Sequence, residues 1–542
     1  MKFSRSIFYV AIAAIAATLI APTASATLFP GFSLDSETQA LTIEDSSEMA
    51  FSFIMNANRE SSLGTSIPES PDATKFCDAF NTRGCNLDTD ARLWVRSVLP
   101  ICGSAIENCV EGLSFVKSDG TIVEAQFDRY FKGETFTAPT ELGMPGGSRV
   151  SIWNASGVPN QGGTEQYAVN VQLKWNYVRG TVTVDAFSAS VFAIKPHLDS
   201  RFKKSGIYYG PAFNNVYASV TETGEYDYDG SCVAVEVGMC GEKVEFAPNT
   251  RLRLKMKLSN KVTGWLHGRI AKPDITVTPI DNTFNQLSVG ADVVDVPMMY
   301  SQYKLTEMSP TFRSLINDMR TGHGIFGKSL YWQYPPDTPF AFTAVTELAS
   351  SVKNTATEVH SYWNVASING ATNQRCLSDT SKLIGFVTTN AMAYAGKAPD
   401  WNGETLEYKV AGLHYLPDGK TLATGTYDLA MRSEAARCLY GFTSAPISAS
   451  ISIVSPEGEQ KVATTVLNEK NGWLYLAAYG FTFSSPTIKV KLTQEAPKVE
   501  PTPTPTPTQS PLSLTSIKCI KGKVVKSVKG VNPKCPKGYK VK

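Results

Sequence analysis

A set of short words recurs in the same order along this chain, and that order restricts the fold more than any other feature. Ser151-Ile152-Trp153-Asn154 is answered by Ser361-Tyr362-Trp363-Asn364, and Gly206-Ile-Tyr-Tyr209-x-Pro211 by Gly412-Leu-His-Tyr415-x-Pro417. A half-cystine follows each, Cys232 and Cys438, and then Gly264-Trp265-Leu266 is answered by Gly472-Trp473-Leu474. Each Gly-Trp-Leu word leads to a proline and an Ile-x-Val strand, Pro273 with Ile275 and Val277, then Pro486 with Ile488 and Val490. The interval from 151 to 264 is 113 residues and that from 361 to 472 is 111. This period is far longer than that of a solenoid repeat and predicts a tandem duplication.

The pattern inside each copy is that of strands. Val169-Asn-Val171-Gln-Leu173, Val182-Thr-Val184 and Ile447-Ser-Ala-Ser-Ile451-Ser-Ile453 alternate. In Leu252-Arg-Leu254-Lys-Met256-Lys-Leu258 one face is aliphatic and the other cationic, so one side is buried and the other wet. Asp119-Gly120, Pro417-Asp418-Gly419, Pro456-Glu457-Gly458 and Asn471-Gly472 mark turns. These signals predict an all-β protein of two tandem, related β-sandwich-like modules over 91–290 and 291–495. One short helix is expected between the modules: Ser309 caps it, Pro310 takes the first position, Phe312, Leu315, Ile316 and Met319 share a face, and Gly322 ends it. Ahead of the modules, residues 27–90 form a separate segment. It has edge strands around Leu41, Ile43, Phe51 and Phe53, and a short helix starting at Ser70-Pro71, with Phe76 and Phe80 inward and Gly84 as its stop.

Lys2 and Arg5 precede an apolar run from Ile7 to Ile20, and Ala24-Ser25-Ala26 offers a cleavage site, so residues 1–26 read as a signal peptide. The alternative, an uncleaved anchor, needs roughly 20 apolar residues, more than this run supplies. No later stretch reaches 18 uninterrupted apolar residues, which predicts no transmembrane segment after cleavage. An exported chain with ten cysteines favours disulfides over thiol chemistry or zinc. Neighbours in sequence suggest Cys77 with Cys85, Cys102 with Cys109, Cys232 with Cys240 and Cys519 with Cys535, leaving Cys376 for Cys438.

After Gln494 the composition changes. The run Glu500-Pro-Thr-Pro-Thr-Pro-Thr-Pro-Thr508 has no large apolar side chain to build a core, and residues 496–513 read as a disordered, extended Pro/Thr linker whose threonines are open to glycosylation. Beyond it, 514–542 holds nine lysines, Lys518, Lys521, Lys523, Lys526, Lys529, Lys534, Lys537, Lys540 and Lys542, and no acid. With the leader's +2 also set aside, the formal charge of +2 becomes about −9 over residues 27–513. A small hairpin stapled by Cys519 and Cys535 with an ammonium surface attracts polyanions, or else serves as a solubilising tail. For an exported protein the nearest polyanions are cell-envelope polymers rather than nucleic acid.

Through Cys519, Gly522, Pro533, Cys535, Pro536, Gly538 and Tyr539 this tail resembles a Lys-rich, two-cysteine C-terminal module found after Pro-Thr linkers in secreted or surface proteins of Gram-positive actinobacteria. The Cys438-Leu-Tyr-Gly-Phe442 and Gly-Trp-Leu words are similar to those of secreted proteins of the same kind, whose function is uncharacterised. The resemblance implies an extracellular, envelope-associated location.

Three further features bear on function. Glu225-x-Asp227-x-Asp229-Gly230 with Glu236 approaches a calcium loop, though glutamate stands at the first position and no helix flanks it. The alternative is an acidic loop between strands that needs no cofactor. Trp153 beside Asn154 and Trp363 beside Asn364 have the chemistry of a sugar platform, a flat apolar face next to an amide, or are core residues equivalent by duplication. His267 beside Arg269 reads as a strand histidine, since Tyr475 takes its place in the second copy. No catalytic motif is found: the five histidines form no His-Glu-x-x-His pair, and there is no Gly-x-Ser-x-Gly elbow or phosphate loop. Together these features predict a non-catalytic secreted surface protein, adhesive or glycan-binding and held at the envelope by its basic tail. A secreted glycan-active enzyme and a structural surface-layer or appendage subunit are the alternatives. The oligomeric state is left open.

Overall fold

Alternation becomes strand throughout the described residues, and the protein is all-β with three α-helices among them. The computed structural model describes residues 38–43, 52–56, 76–82, 84–88, 91–103, 107–133, 135–198, 208–209, 216–217, 232–236, 239–322, 331–334, 336–368, 374–443, 447–454, 460–461, 464–483, 487–494 and 513–542. The expected leader, the helix start at Ser70-Pro71, the Pro456 turn and the Pro/Thr run lie outside them.

The chain divides into two compact units, Met1–Thr493 and Gln494–Lys542. The larger is organised by one long sheet. Its strands run in the order Phe76–Cys77, Phe53–Asn56, Arg92–Val98, Gln166–Val178, Thr181–Leu198, Glu358–Ser367, Gly264–Arg269, Leu383–Thr389, Thr424–Arg432, Trp473–Thr482, Thr464–Lys470. A second sheet holds Ala271–Pro279, Phe284–Asp292, Arg251–Ser259, Cys109–Val116 and Ile122–Glu124, and a third is built on Leu406–Ala411, Thr487–Gln494 and Ile447–Val454.

These layers explain the alternation. In Arg251–Ser259 the residues Leu252, Leu254, Met256 and Leu258 are buried, while Arg253, Lys255 and Lys257 keep partial access to water. The Asp119-Gly120 turn joins Cys109–Val116 to Ile122–Glu124, with Asp119 Oδ1 accepting from the Thr121 amide at 2.8 Å. At Asn471-Gly472 both residues take positive φ, 54° and 75°, which gives the two-residue hairpin its favoured twist.

Two separate sandwiches were expected, and the packing differs from that. The strand Glu358–Ser367, from the second half of the chain, lies between Thr181–Leu198 and Gly264–Arg269, and so fills the first half's sheet. Gly264–Arg269 then pairs with Leu383–Thr389 in parallel, in a sheet otherwise antiparallel along its length. Trp363, Val365, Phe386 and Trp473 belong to the core formed mainly by residues 54–291, whereas Trp265 belongs to the core formed by 377–492. The two Gly-Trp-Leu words therefore keep their local shape but exchange cores. Neighbouring positions of one strand show how: the Trp265 ring lies against Gly385, and on the other face Phe386 meets Trp473 edge-on at 5.9 Å between centroids.

Other expectations fare unevenly. Helix α1 (Pro310–Gly322) is present with the expected cap, Ser309 Oγ accepting from the Phe312 amide at 3.1 Å, and Phe312 and Ile316 are buried. Helices α2 (Pro339–Leu348) and α3 (Ser433–Tyr440) were not anticipated. The helix expected across Phe76 is a strand there: Phe76–Cys77 pairs with Phe53–Asn56, because ladder bonds to Ile54 and Met55 satisfy its backbone. Strand Thr38–Ile43 is no edge either, being flanked by Tyr300–Lys304 and Tyr331–Tyr334. All five disulfides join the expected cysteines: Cys77–Cys85, Cys102–Cys109, Cys232–Cys240, Cys376–Cys438 and Cys519–Cys535. The half-cystines read as equivalents do different jobs, since Cys232 opens the strand Cys232–Glu236 and Cys438 sits in α3.

Candidate functional site

The C-terminal sheet gathers four of the nine lysines of 514–542 on one open face. Thr515–Lys521 pairs antiparallel with Val524–Gly530 on one side and Lys540–Val541 on the other. Side chains alternate between faces. Ile517, Cys519, Val528 and Lys526 share one face, where Lys526 lies 5.7 Å over the Tyr539 ring and Cys519 is buried at its disulfide.

The opposite face carries Ser516, Lys518 and Ile520. Lys529 stands opposite Ser516, Ser527 opposite Lys518, and Val525 and Lys540 opposite Ile520. Lys518 is thus a diagonal neighbour of both Lys529 and Lys540, about 7–8 Å away in each case. Lys542 joins them, its amide donating to the Lys518 carbonyl at 2.9 Å. The Ser516 and Ser527 hydroxyls bond to each other at 2.9 Å between the lysines. All nine lysines of 514–542, including Lys521, Lys523, Lys534 and Lys537, are exposed. Like charges at this spacing repel, and an anion laid across the face relieves that repulsion.

The paired tryptophans are core residues. Trp153 is 5 % exposed, its Nε1–H donates to Ser151 Oγ at 2.9 Å, and its ring meets Phe127. Trp363 is 1 % exposed. Neither indole face is available as a platform, because the sheet turns both inward onto the same core. Asn364 Oδ1 accepts from the Arg269 amide at 3.1 Å, which gives its amide a structural task, and Asn154 ends its strand half-buried. Of the calcium-loop residues, Glu225, Asp227 and Asp229 lie outside the described residues. Glu236 ends the strand Cys232–Glu236, opposite Met239. Among the described residues no group of three or more His, Cys, Asp or Glu is placed to hold a metal, and no helix is long and apolar enough to cross a membrane.

Several polar groups tie the halves together. His267 Nδ1 lies 2.8 Å from the Tyr394 hydroxyl. The buried Arg269 guanidinium donates to the carbonyls of Thr389, Ala391 and Met392 and stacks over Tyr394. His360 sits between Glu245 (2.9 Å) and Glu358 (3.0 Å). Burial raises the Glu245 carboxyl, but hydrogen bonds from His360 and Ser361 outweigh it and hold the pKa below the usual range. Asp428, from Thr424–Arg432, accepts from Tyr479 and from the Lys272 amide, and burial pushes its pKa up to about 7. Each of these groups serves a partner inside the fold.

Comparison of the chain with family models, curated proteins and solved structures found no match in any of the three. Function is therefore argued from the residues alone. Sequence reasoning passed over one of them, Trp94. In Arg92-Leu93-Trp94-Val95-Arg96 the residues Leu93 and Val95 are buried, Arg92 and Trp94 are exposed, and Arg96 is buried.

Proposed function

We propose that this is a secreted, non-catalytic surface protein whose basic C-terminal unit holds it to anionic polymers of the cell envelope, leaving the β body to act as an adhesive or glycan-binding module. The observation that supports this reading is the face bearing Lys518, Lys529, Lys540 and Lys542. A solubilising tail needs charge but no alignment, whereas the register sets these lysines side by side on one face. The apolar leader and the Pro/Thr run are consistent with export and with reach from a surface.

The test compares the full chain with a variant carrying Lys518→Gln, Lys529→Gln, Lys540→Gln and Lys542→Gln in co-sedimentation with isolated Gram-positive cell walls. The wild-type chain is expected to sediment at low salt and to be released as ionic strength passes about 0.15 M, where the screening length falls to about 8 Å. The variant is expected to remain in the supernatant. Equal retention of both at every salt concentration would sink the proposal.

A further inference from the structure

Of the twelve large apolar side chains left exposed among the described residues, five, Leu514, Val524, Val525, Val531 and Val541, lie in 514–542. Two of them sit at the end of a hairpin. Gly522, with a φ of 60°, and Lys523 form the two-residue turn between Lys521 and Val524, a turn that takes glycine at its first position. The third strand stops short of this end: Lys540, its first residue, stands opposite Ile520. Successive side chains point to opposite faces. Val525 therefore stands with Ile520 on the face of Lys518 and Lys540, and Val524 stands with Lys521 on the other. Val524 is 53 % exposed and Val525 46 %. The tip is thus apolar on both faces and flanked by Lys521, Lys523 and Lys540. No acidic side chain lies in 514–542 to neutralise them.

A hydrated polyanion satisfies lysines but leaves valines in water. An anionic bilayer satisfies both, because its phosphates lie over hydrocarbon, and binding there grows with the apolar area buried and with the attraction of basic side chains to acidic headgroups. One weak signal gives only marginal attachment, whereas a basic patch combined with an apolar insert supplies two. We propose that the tip Lys521–Val525 enters the headgroup layer of a membrane rich in anionic phospholipid, with Val524 and Val525 at the acyl boundary and Lys521, Lys523 and Lys540 at the lipid phosphates. Entry is end-on, because a hairpin lying on one face would cover only one of the two valines. This deepens the anchoring part of the function proposed above and rests on its reading of the tail as an anchor, adding a lipid surface to the envelope polymers.

The experiment floats the full chain with vesicles of equal parts phosphatidylglycerol and phosphatidylcholine, with pure phosphatidylcholine vesicles as the neutral comparator. The wild-type chain is expected to float with the anionic vesicles and to stay behind with the neutral ones. Val524→Thr combined with Val525→Thr keeps the β-branched shape that suits a strand and removes apolar surface. It should weaken vesicle binding at least about tenfold. Val524→Leu combined with Val525→Leu adds apolar area and should tighten binding, which separates a loss of contact from a loss of folding. Equal binding by the threonine variant and wild type, weaker binding by the leucine variant, equal binding to both kinds of vesicle, or no vesicle binding by the wild-type chain would each overturn the proposal. Cell walls freed of membrane distinguish it from the polymer contact. The threonine variant should be retained there like wild type, because its lysines are intact. Wall retention without vesicle binding would leave the polymer contact standing and remove this one, and vesicle binding without wall retention would do the reverse.

Discussion

Asp428 is a carboxyl in a place that penalises its charge. It is buried, its Oδ2 has no hydrogen-bond partner among the described residues, and Asp292 nearby adds repulsion. The Tyr479 hydroxyl, the Lys272 amide and the Lys272 charge favour ionisation but do not overcome burial, and the pKa stands at about 7 instead of the ordinary 3.8. The sign follows from linkage. The folded state holds this proton more tightly than the unfolded chain, so its contribution is full below about pH 4 and is lost as pH rises toward 7. At about 1.4 kcal/mol per unit the loss is on the order of 4 kcal/mol. Asp428→Asn keeps an acceptor for Tyr479 and Lys272 and carries no charge. Urea unfolding followed by tryptophan fluorescence should show the variant more stable than wild type at pH 8 and the difference shrinking toward pH 4. A parallel offset at all pH values would show that Asp428 does not titrate in this window. None of this was legible in the sequence, where Asp428 sits in Tyr427-Asp428-Leu429 as one more polar residue of an alternating strand. Its burial comes from Lys272 and Tyr479, which lie on two other strands.

Elements with local determinants were the ones the sequence revealed. Helix α1 was legible because a capping serine, a first-turn proline and a 3.6-residue apolar stripe all act within one stretch. Helix α2 carries a comparable start, with Thr338 Oγ1 accepting from the Ala341 amide at 3.3 Å and Pro339 following it. Its apolar residues Phe340, Ala341, Ala344, Val345 and Leu348 are buried together with residues of Thr38–Ile43 and α1. In so apolar a segment the helical period is hard to tell from a buried strand. Turns were equally local. Gly264 and Gly472 both take φ near +75°, in open space where a Cβ would touch nothing within 4 Å, so only the backbone angle constrains them. Gly472→Ala should then destabilise by about 1–2 kcal/mol, the cost of a left-handed conformation for a residue with a Cβ. Asn471→Gly, by contrast, should be close to neutral. Thermal midpoints of the two variants check this, and equal midpoints would mean the turn relaxes.

At the scale of the whole body, the repeated words were legible and the way the two halves of the chain interlock was not. Word order records which strands resemble one another. It is silent on which strands pair across more than 100 residues, and that pairing inserts Glu358–Ser367 into the first half's sheet. The seam is bonded as well as packed: Lys470 approaches the Asp274 carboxylate at 3.5 Å, and Tyr475 exchanges hydrogen bonds with the Ile275 backbone. Cores joined through shared strands should open together. Trp473 tests this, because its chain segment belongs to the second half and its side chain to the first core. Trp473→Ala should cost roughly 3–5 kcal/mol. In hydrogen exchange on the full chain, the loss should appear equally in Arg251–Ser259, over the first core, and in Leu406–Ala411, over the second. Independent modules would confine the faster exchange to one of the two strands, so protection kept in Leu406–Ala411 would show that the long sheet joins the halves without coupling their stability.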